Sequence, residues 1–110
     1  MTQYGETEKQ IQQTIINFLR YKGYYCQRLN AGEIRIEKRM IRMAARGTPD
    51  IMAFKPHAMN SSGIVSLLFI EVKRPGKSAT PAQELMMQEL TRYGAKCFVA
   101  HSLDEVQKLL

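Results

Sequence analysis

Residues 67–73 read Leu-Leu-Phe-Ile-Glu-Val-Lys, and this run constrains the fold more than any other stretch. From Leu67 to Val72 it is apolar apart from Glu71, the pattern of a strand buried on both faces. Side chains alternate along a strand, so Leu67, Phe69, Glu71 and Lys73 share one face, and Leu68, Ile70 and Val72 the other. A carboxylate and an ammonium therefore project together from the end of a core strand, where either alone is costly to bury. A second acid, Asp50, opens another apolar run, Ile51-Met52-Ala53-Phe54. Two acids and a lysine at one sheet end are most simply satisfied by a hard divalent cation that keeps water around it.

The elements around this strand follow from periodicity. Residues 6–21 predict a helix, with Ile11, Ile15, Phe18 and Leu19 at helical spacing and Gly23 beyond its end. Glu8 precedes Ile11 by three residues and Ile15 by seven, which sets this acid on the apolar face. A strand is expected over 24–29 and a turn at Asn30-Ala31-Gly32. Ile34 and Ile36 alternate with charges ahead of the extended run 40–44, so a hairpin turning near Glu37 and Lys38 is expected, with a short helix over 35–46 as the alternative. Arg35, Arg39 and Arg42 project from this element either way. After the Gly47-Thr48-Pro49 turn come a strand over 50–54, an exposed loop over 55–63 that carries His57, and the central strand over 66–73, antiparallel to its predecessor. Arg74-Pro75-Gly76-Lys77 makes a basic connection. Thr80, Pro81 and Gln83 then open a helix as N-cap, first residue and capping-box partner. Met86, Leu90 and Tyr93 supply its apolar stripe. A buried strand over 96–100 and a last helix, opened by a Ser102/Glu105 capping box and carrying Val106, Leu109 and Leu110, complete the order α-β-β-β-β-β-α-β-α. One α/β domain over residues 1–110 is expected, built on a mixed sheet.

Composition narrows the partners. The 110 residues carry a net charge of +6, and the segment 20–46, with eight basic residues and two acids, holds an excess equal to that of the whole chain. Such a segment attracts polyanions, nucleic acid among them, although a solvated basic face has the same composition. Arg46, Arg74 and Lys77 add cations next to the acids and join Arg35, Arg39 and Arg42 as candidate DNA contacts. No apolar run is long enough to cross a bilayer, and no basic-then-apolar signal segment opens the chain. Cys26 and Cys97 form no metal or redox spacing; they read as buried thiols of an intracellular protein, with a disulfide as the alternative.

A divalent cation beside a basic surface suits phosphodiester hydrolysis. The reaction needs an activated water, charge neutralisation on the phosphate and help for the leaving oxygen. Asp50 and Glu71 are the expected ligands for Mg²⁺ or Mn²⁺, with the Val72 backbone carbonyl as a further oxygen. Lys73 is placed to orient the attacking water or to stabilise phosphate charge. Glu8 is a candidate for a second metal or its water. Asp50 as a turn cap, Glu71 and Lys73 as a surface ion pair, and Gln83 as a helix cap are the structural alternatives.

Gly-Thr-Pro-Asp-Ile followed by Phe-Ile-Glu-Val-Lys-Arg-Pro resembles the PD-(D/E)XK nuclease superfamily, and more narrowly its VRR-NUC (virus-type replication-repair nuclease) family. The resemblance covers nearly the whole chain. It implies a restriction-endonuclease-like core, a central mixed β-sheet flanked by helices. Glu8 matches the acid on the family's first helix, Asp50 its P-D acid, Glu71 and Lys73 its E-x-K, and Gln83 the glutamine that opens the following helix; Asn30-Ala31-Gly32 also matches. The resemblance further implies a metal-dependent DNA endonuclease of the small phage and prophage type in a bacterial cytoplasm. Stand-alone members resemble junction resolvases, so a homodimer acting on four-way DNA junctions is expected. A flap- or nick-directed nuclease and a non-catalytic basic DNA-binding module are the alternatives.

Overall fold

The computed structural model describes residues 5–29, 33–36, 39–42, 46–56 and 63–110, with the backbone alone for 33–36 and 39–42. The elements are α1 (Glu8–Tyr21), β1 (Tyr25–Arg28), β2 (Glu33–Ile36), β3 (Arg39–Arg42), β4 (Ile51–Pro56), β5 (Val65–Val72), α2 (Pro81–Arg92), β6 (Lys96–Ala100) and α3 (Leu103–Leu109). Their order is the one the sequence predicts. Helix α1 starts two residues later than expected because Thr7 caps it. The Gln10 amide N–H donates to Thr7 Oγ1 at 3.1 Å, and Gln10 Oε1 accepts the Thr7 N–H at 2.8 Å. The helix closes on paired bonds from Tyr24 N–H to the Leu19 carbonyl and from Gly23 N–H to the Arg20 carbonyl, a Schellman ending.

Four strands form a mixed sheet in the order β1-β4-β5-β6. Strands β1 and β5 flank β4 antiparallel, while β6 runs parallel to β5. A parallel neighbour needs a crossover, which α2 supplies. One sheet face is closed by α1 and α3. Ile11, Ile15, Ile16, Leu19 and Val106 cover Cys26, Ile51, Ala53, Leu68, Ile70, Val72 and Ala100. Strands β2 and β3 form a separate antiparallel pair with Ile36 opposite Arg39, so the hairpin stands and the helix alternative over 35–46 falls. The Asn30-Ala31-Gly32 turn, His57 and the side chains of Arg35, Arg39 and Arg42 lie outside the described residues.

The other sheet face is less covered than periodicity suggests. Helix α2 packs on β6 and has no fully buried residue. Met86 and Leu90 are half-buried, but Tyr93 is 82 % exposed, at the rim of an open cavity that it lines with Val65, Leu67 and Phe69. Strand β6 is an edge strand, and only Ala100 is fully buried in it. Leu109 and Leu110 are likewise exposed. Ser102 caps α3 by accepting the Glu105 N–H at 3.2 Å, yet the Glu105 carboxylate turns to the His101 N–H instead of completing the box. Both cysteines are free; Cys26 is buried, Cys97 half-buried, and desolvation pushes both thiols up. Among the described residues no helix is long and apolar enough to cross a membrane.

Ile15 is fully buried beneath the sheet. Ile15→Ala should cost about 2–5 kcal/mol through lost burial and a residual cavity, read as a lower urea midpoint with an unchanged denaturant slope.

Candidate active site

The site lies where the β4–β5 ladder ends. The last paired residues are Ile51 and Ile70, and one further step of the register sets Asp50 opposite Glu71. Asp50 also closes the ladder, since its Oδ2 accepts the Val72 N–H at 2.8 Å. In a strand a residue's N–H and C=O leave on the same side, so the Val72 carbonyl faces toward Asp50 as well. Ahead of Asp50, Pro49 is fully buried. Gly47 adopts φ +85°, and a Cβ there would lie 2.4 Å from the Ala82 carbonyl oxygen. Both facts require glycine. The turn thus presses against the first turn of α2, and Arg46, which is exposed, shares a cavity of about 500 Å³ with Thr80 and Gln83.

Glu71 is 3 % exposed. Its Oε2 accepts from Gln83 Nε2 at 3.1 Å and stands 3.8 Å from Lys73 Nζ. Its Oε1 is buried with no hydrogen-bond partner. Gln83 caps the helix and also touches Glu71. Its Oε1 accepts the Thr80 N–H at 2.8 Å in the capping box, which aims the amide NH₂ at Glu71. Glu8, half-buried in the first turn of α1, is near enough that its charge pushes Asp50 and Glu71 up. The structure therefore brings Glu8, Asp50, Glu71, Lys73 and Gln83 together.

Burial raises the pKa of both acids. For Glu71, desolvation comes first and the Asp50 charge second; Lys73 opposes them, and the carboxyl is pushed up to about 8. For Asp50, desolvation leads and the Val72 N–H partly offsets it. Asp50 and Glu71 share one lysine, the Glu8 charge lies near both, and Glu71 Oε1 is an acceptor without a donor. That donor set fits a hard divalent cation. Among the described residues no three His, Cys, Asp or Glu side chains converge on one point, so Asp50 and Glu71 would hold an ion that retains several waters. Arg74 and Lys77 stand on the connection after β5 and line a second cavity, of about 520 Å³. His101, on the same cavity, carries no motif in the sequence; only its neighbour Ser102 stood out there, as a cap.

The VRR-NUC domain family matches residues 6–104. A solved structure titled "VRR_NUC domain" is 23 % identical, with a TM-score of 0.65 over 93 % of this chain and 91 % of its own. Another, titled "VRR_NUC domain protein", is 20 % identical, with a TM-score of 0.60 over 96 % of this chain and 85 % of its own. At these identities the two structures share the fold. No curated protein matches the chain.

Folding raises the Glu71 pKa above its ordinary 4.5. The folded, metal-free protein thus binds this proton more tightly than the unfolded chain, and stability falls as pH rises from 4.5 toward about 8. Glu71→Gln should raise the metal-free Tm by about 5 °C at the upper end of that window, with the gain vanishing at the lower end, as read by calorimetry. Gly47→Ala should lower Tm and separate Gln83 from Glu71, read as a change in the Gln83 side-chain amide signals by NMR.

Proposed function

The chain belongs to the VRR-NUC domain family, a nuclease-type fold, and from that premise we propose that it is a divalent-metal-dependent endodeoxyribonuclease. The observation that carries the reading is the buried, unpartnered Glu71 Oε1 beside Asp50. The proposed substrate is branched DNA, and the proposed form is a homodimer that sets two sites on one four-way junction. A basic chain of 110 residues with net charge +6 suits a polyanion but offers one copy little surface to grip a duplex. The resemblance to small phage-type nucleases supports the dimer, the junction and a bacterial cytoplasm.

When bound at Asp50, Glu71 and the Val72 carbonyl, Mg²⁺ or Mn²⁺ would supply charge neutralisation on the phosphate and lower the pKa of a coordinated water. The protein's own groups supply the rest. Lys73, held against Glu71 and largely buried, directs its ammonium at the reacting phosphate or the attacking water. Gln83 fixes the Glu71 carboxylate through its amide. Glu8 adds negative charge near both acids, which raises their affinity for a proton in the metal-free protein and would add to the attraction for a cation. Arg46, Arg74 and Lys77, and the arginines Arg35, Arg39 and Arg42 of the hairpin, are the proposed contacts to the DNA backbone.

The test is cleavage of an end-labelled four-way junction beside linear duplex of the same sequence, with Mg²⁺, Mn²⁺ or EDTA. Paired symmetric cuts that need metal are expected, with Lys73→Ala slowed about 10²–10³-fold and Asp50→Ala inactive. Cuts confined to flaps or nicks would replace the junction with those substrates. Binding without cutting in either metal would reduce the protein to a basic DNA-binding module. Binding should weaken steeply with salt as counterions are retained on the DNA.

A further inference from the structure

The connection that leaves the site is a closed turn. The Lys77 N–H donates to the Arg74 carbonyl at 3.0 Å, with Pro75 second and Gly76, at φ +87°, third; this is the sequence and geometry of a type II β-turn. Its start is tied to β6, because the Lys73 N–H donates to the Ala100 carbonyl at 3.0 Å. The next residue, His101, ties its end. His101 Nε2 lies 2.8 Å from the Lys77 carbonyl oxygen, and Nδ1 lies 3.0 Å from Glu105 Oε1, which also accepts the His101 backbone N–H at 2.8 Å. A carbonyl and an ionised carboxylate can only accept. A neutral imidazole has one N–H and serves one of them, whereas an imidazolium serves both.

We propose that His101, as an imidazolium, is a positioning residue of the DNA interface: it fixes the turn of residues 74–77 so that the Arg74 and Lys77 side chains meet a backbone phosphate flanking the one that is cut. The inference rests on the nuclease reading. Its geometry is the cavity of about 520 Å³ that Arg74, Pro75, Lys77, His101 and Ser102 line, with Glu6 and Ile11 also in its wall. The charged groups around His101 are Glu105 from α3, Arg74 and Lys77 from the turn, and Glu6 from the segment before α1. The bonds to Glu105 and to the Lys77 carbonyl outweigh desolvation and hold the imidazole above its ordinary range. The same contact holds Glu105 below its own. The clamp is therefore intact below the raised His101 pKa and opens as pH rises through it. Once neutral, the imidazole keeps its single N–H for the ionised Glu105 carboxylate, the stronger acceptor, so the Lys77 carbonyl loses its donor, the turn is released and one positive charge is gone.

Two measurements decide it. In the ¹⁵N NMR spectrum of the metal-free wild type at about pH 6.5, where a free histidine is half-titrated, both His101 ring nitrogens should carry protons. A neutral tautomer there would overturn the clamp, and this arm needs no variant to fold. In EDTA and in a Glu71→Gln background, which removes the Glu71 titration, fluorescence anisotropy should show affinity for a labelled four-way junction falling roughly tenfold as His101 deprotonates. His101→Gln in that background should keep the weak, high-pH affinity throughout, and in the otherwise wild-type protein its kcat in metal should stay within about twofold because the loss lies in binding. An affinity profile for His101→Gln that tracks wild type, or a loss in kcat instead, would overturn the proposal. His101-dependent binding without cleavage would overturn only the nuclease reading; no binding at any pH would overturn both.

Discussion

Asp50 and Glu71 stand beside one another at the buried end of a β-ladder, and the donors around them do not cover their oxygens. The Val72 N–H takes one Asp50 oxygen, while Gln83 and Lys73 share one Glu71 oxygen. Glu71 Oε1 has no donor of its own, and the two carboxyls can bond to each other only through a retained proton. A buried acceptor in that state costs on the order of 1–3 kcal/mol, and like charges brought together cost more. The metal-free protein responds by keeping a proton, which is what the raised Glu71 pKa expresses. A divalent cation would answer the same deficit without leaving either acid idle.

Much of the remaining architecture serves to hold that pair. The α1–α3 face supplies a dense core whose interior includes Ile51, Ile70 and Val72, so the residues adjoining both acids are immobilised by packing. The opposite face is open enough for α2 to present its first turn to the site. There a single glutamine caps the helix with its oxygen and grips Glu71 with its nitrogen. Gly47 makes this possible, because any side chain at that position would strike the Ala82 carbonyl and drive the Pro49-Asp50 turn away from α2. On the far side, Lys73 and the basic turn are anchored to β6 and α3 through Ala100 and His101.

Sequence patterns revealed the parts of this arrangement that depend on local chemistry. The apolar run broken by Glu71 is a central strand, Thr80-Pro81-Ala82-Gln83 starts a helix, and Asp50 and Glu71 meet at one end of the sheet. Glu8 could be set on the inner face of α1 from its spacing to Ile11 and Ile15. Periodicity reports which residues share a face, but not whether anything covers that face. Tyr93, Leu109, Leu110 and the edge strand β6 were misjudged for that reason. Capping signals carry a similar limit. Glu105 sits at the right spacing from Ser102, yet a more basic partner one residue earlier, His101, takes its carboxylate. Gln83 posed the reverse problem: spacing shows that an amide can cap a helix, and cannot show where its other end points.

The central claim is that the Asp50–Glu71 pair trades a proton for a divalent cation. Calorimetric titration of the protein with Mn²⁺ at about pH 7, in two buffers of different ionisation enthalpy, measures both the binding and the protons released. The account predicts binding with net release of roughly one proton, and no binding in the Asp50→Asn, Glu71→Gln double variant. Binding that persists in the double variant with the same proton count, or wild-type protein that binds no metal, would contradict it.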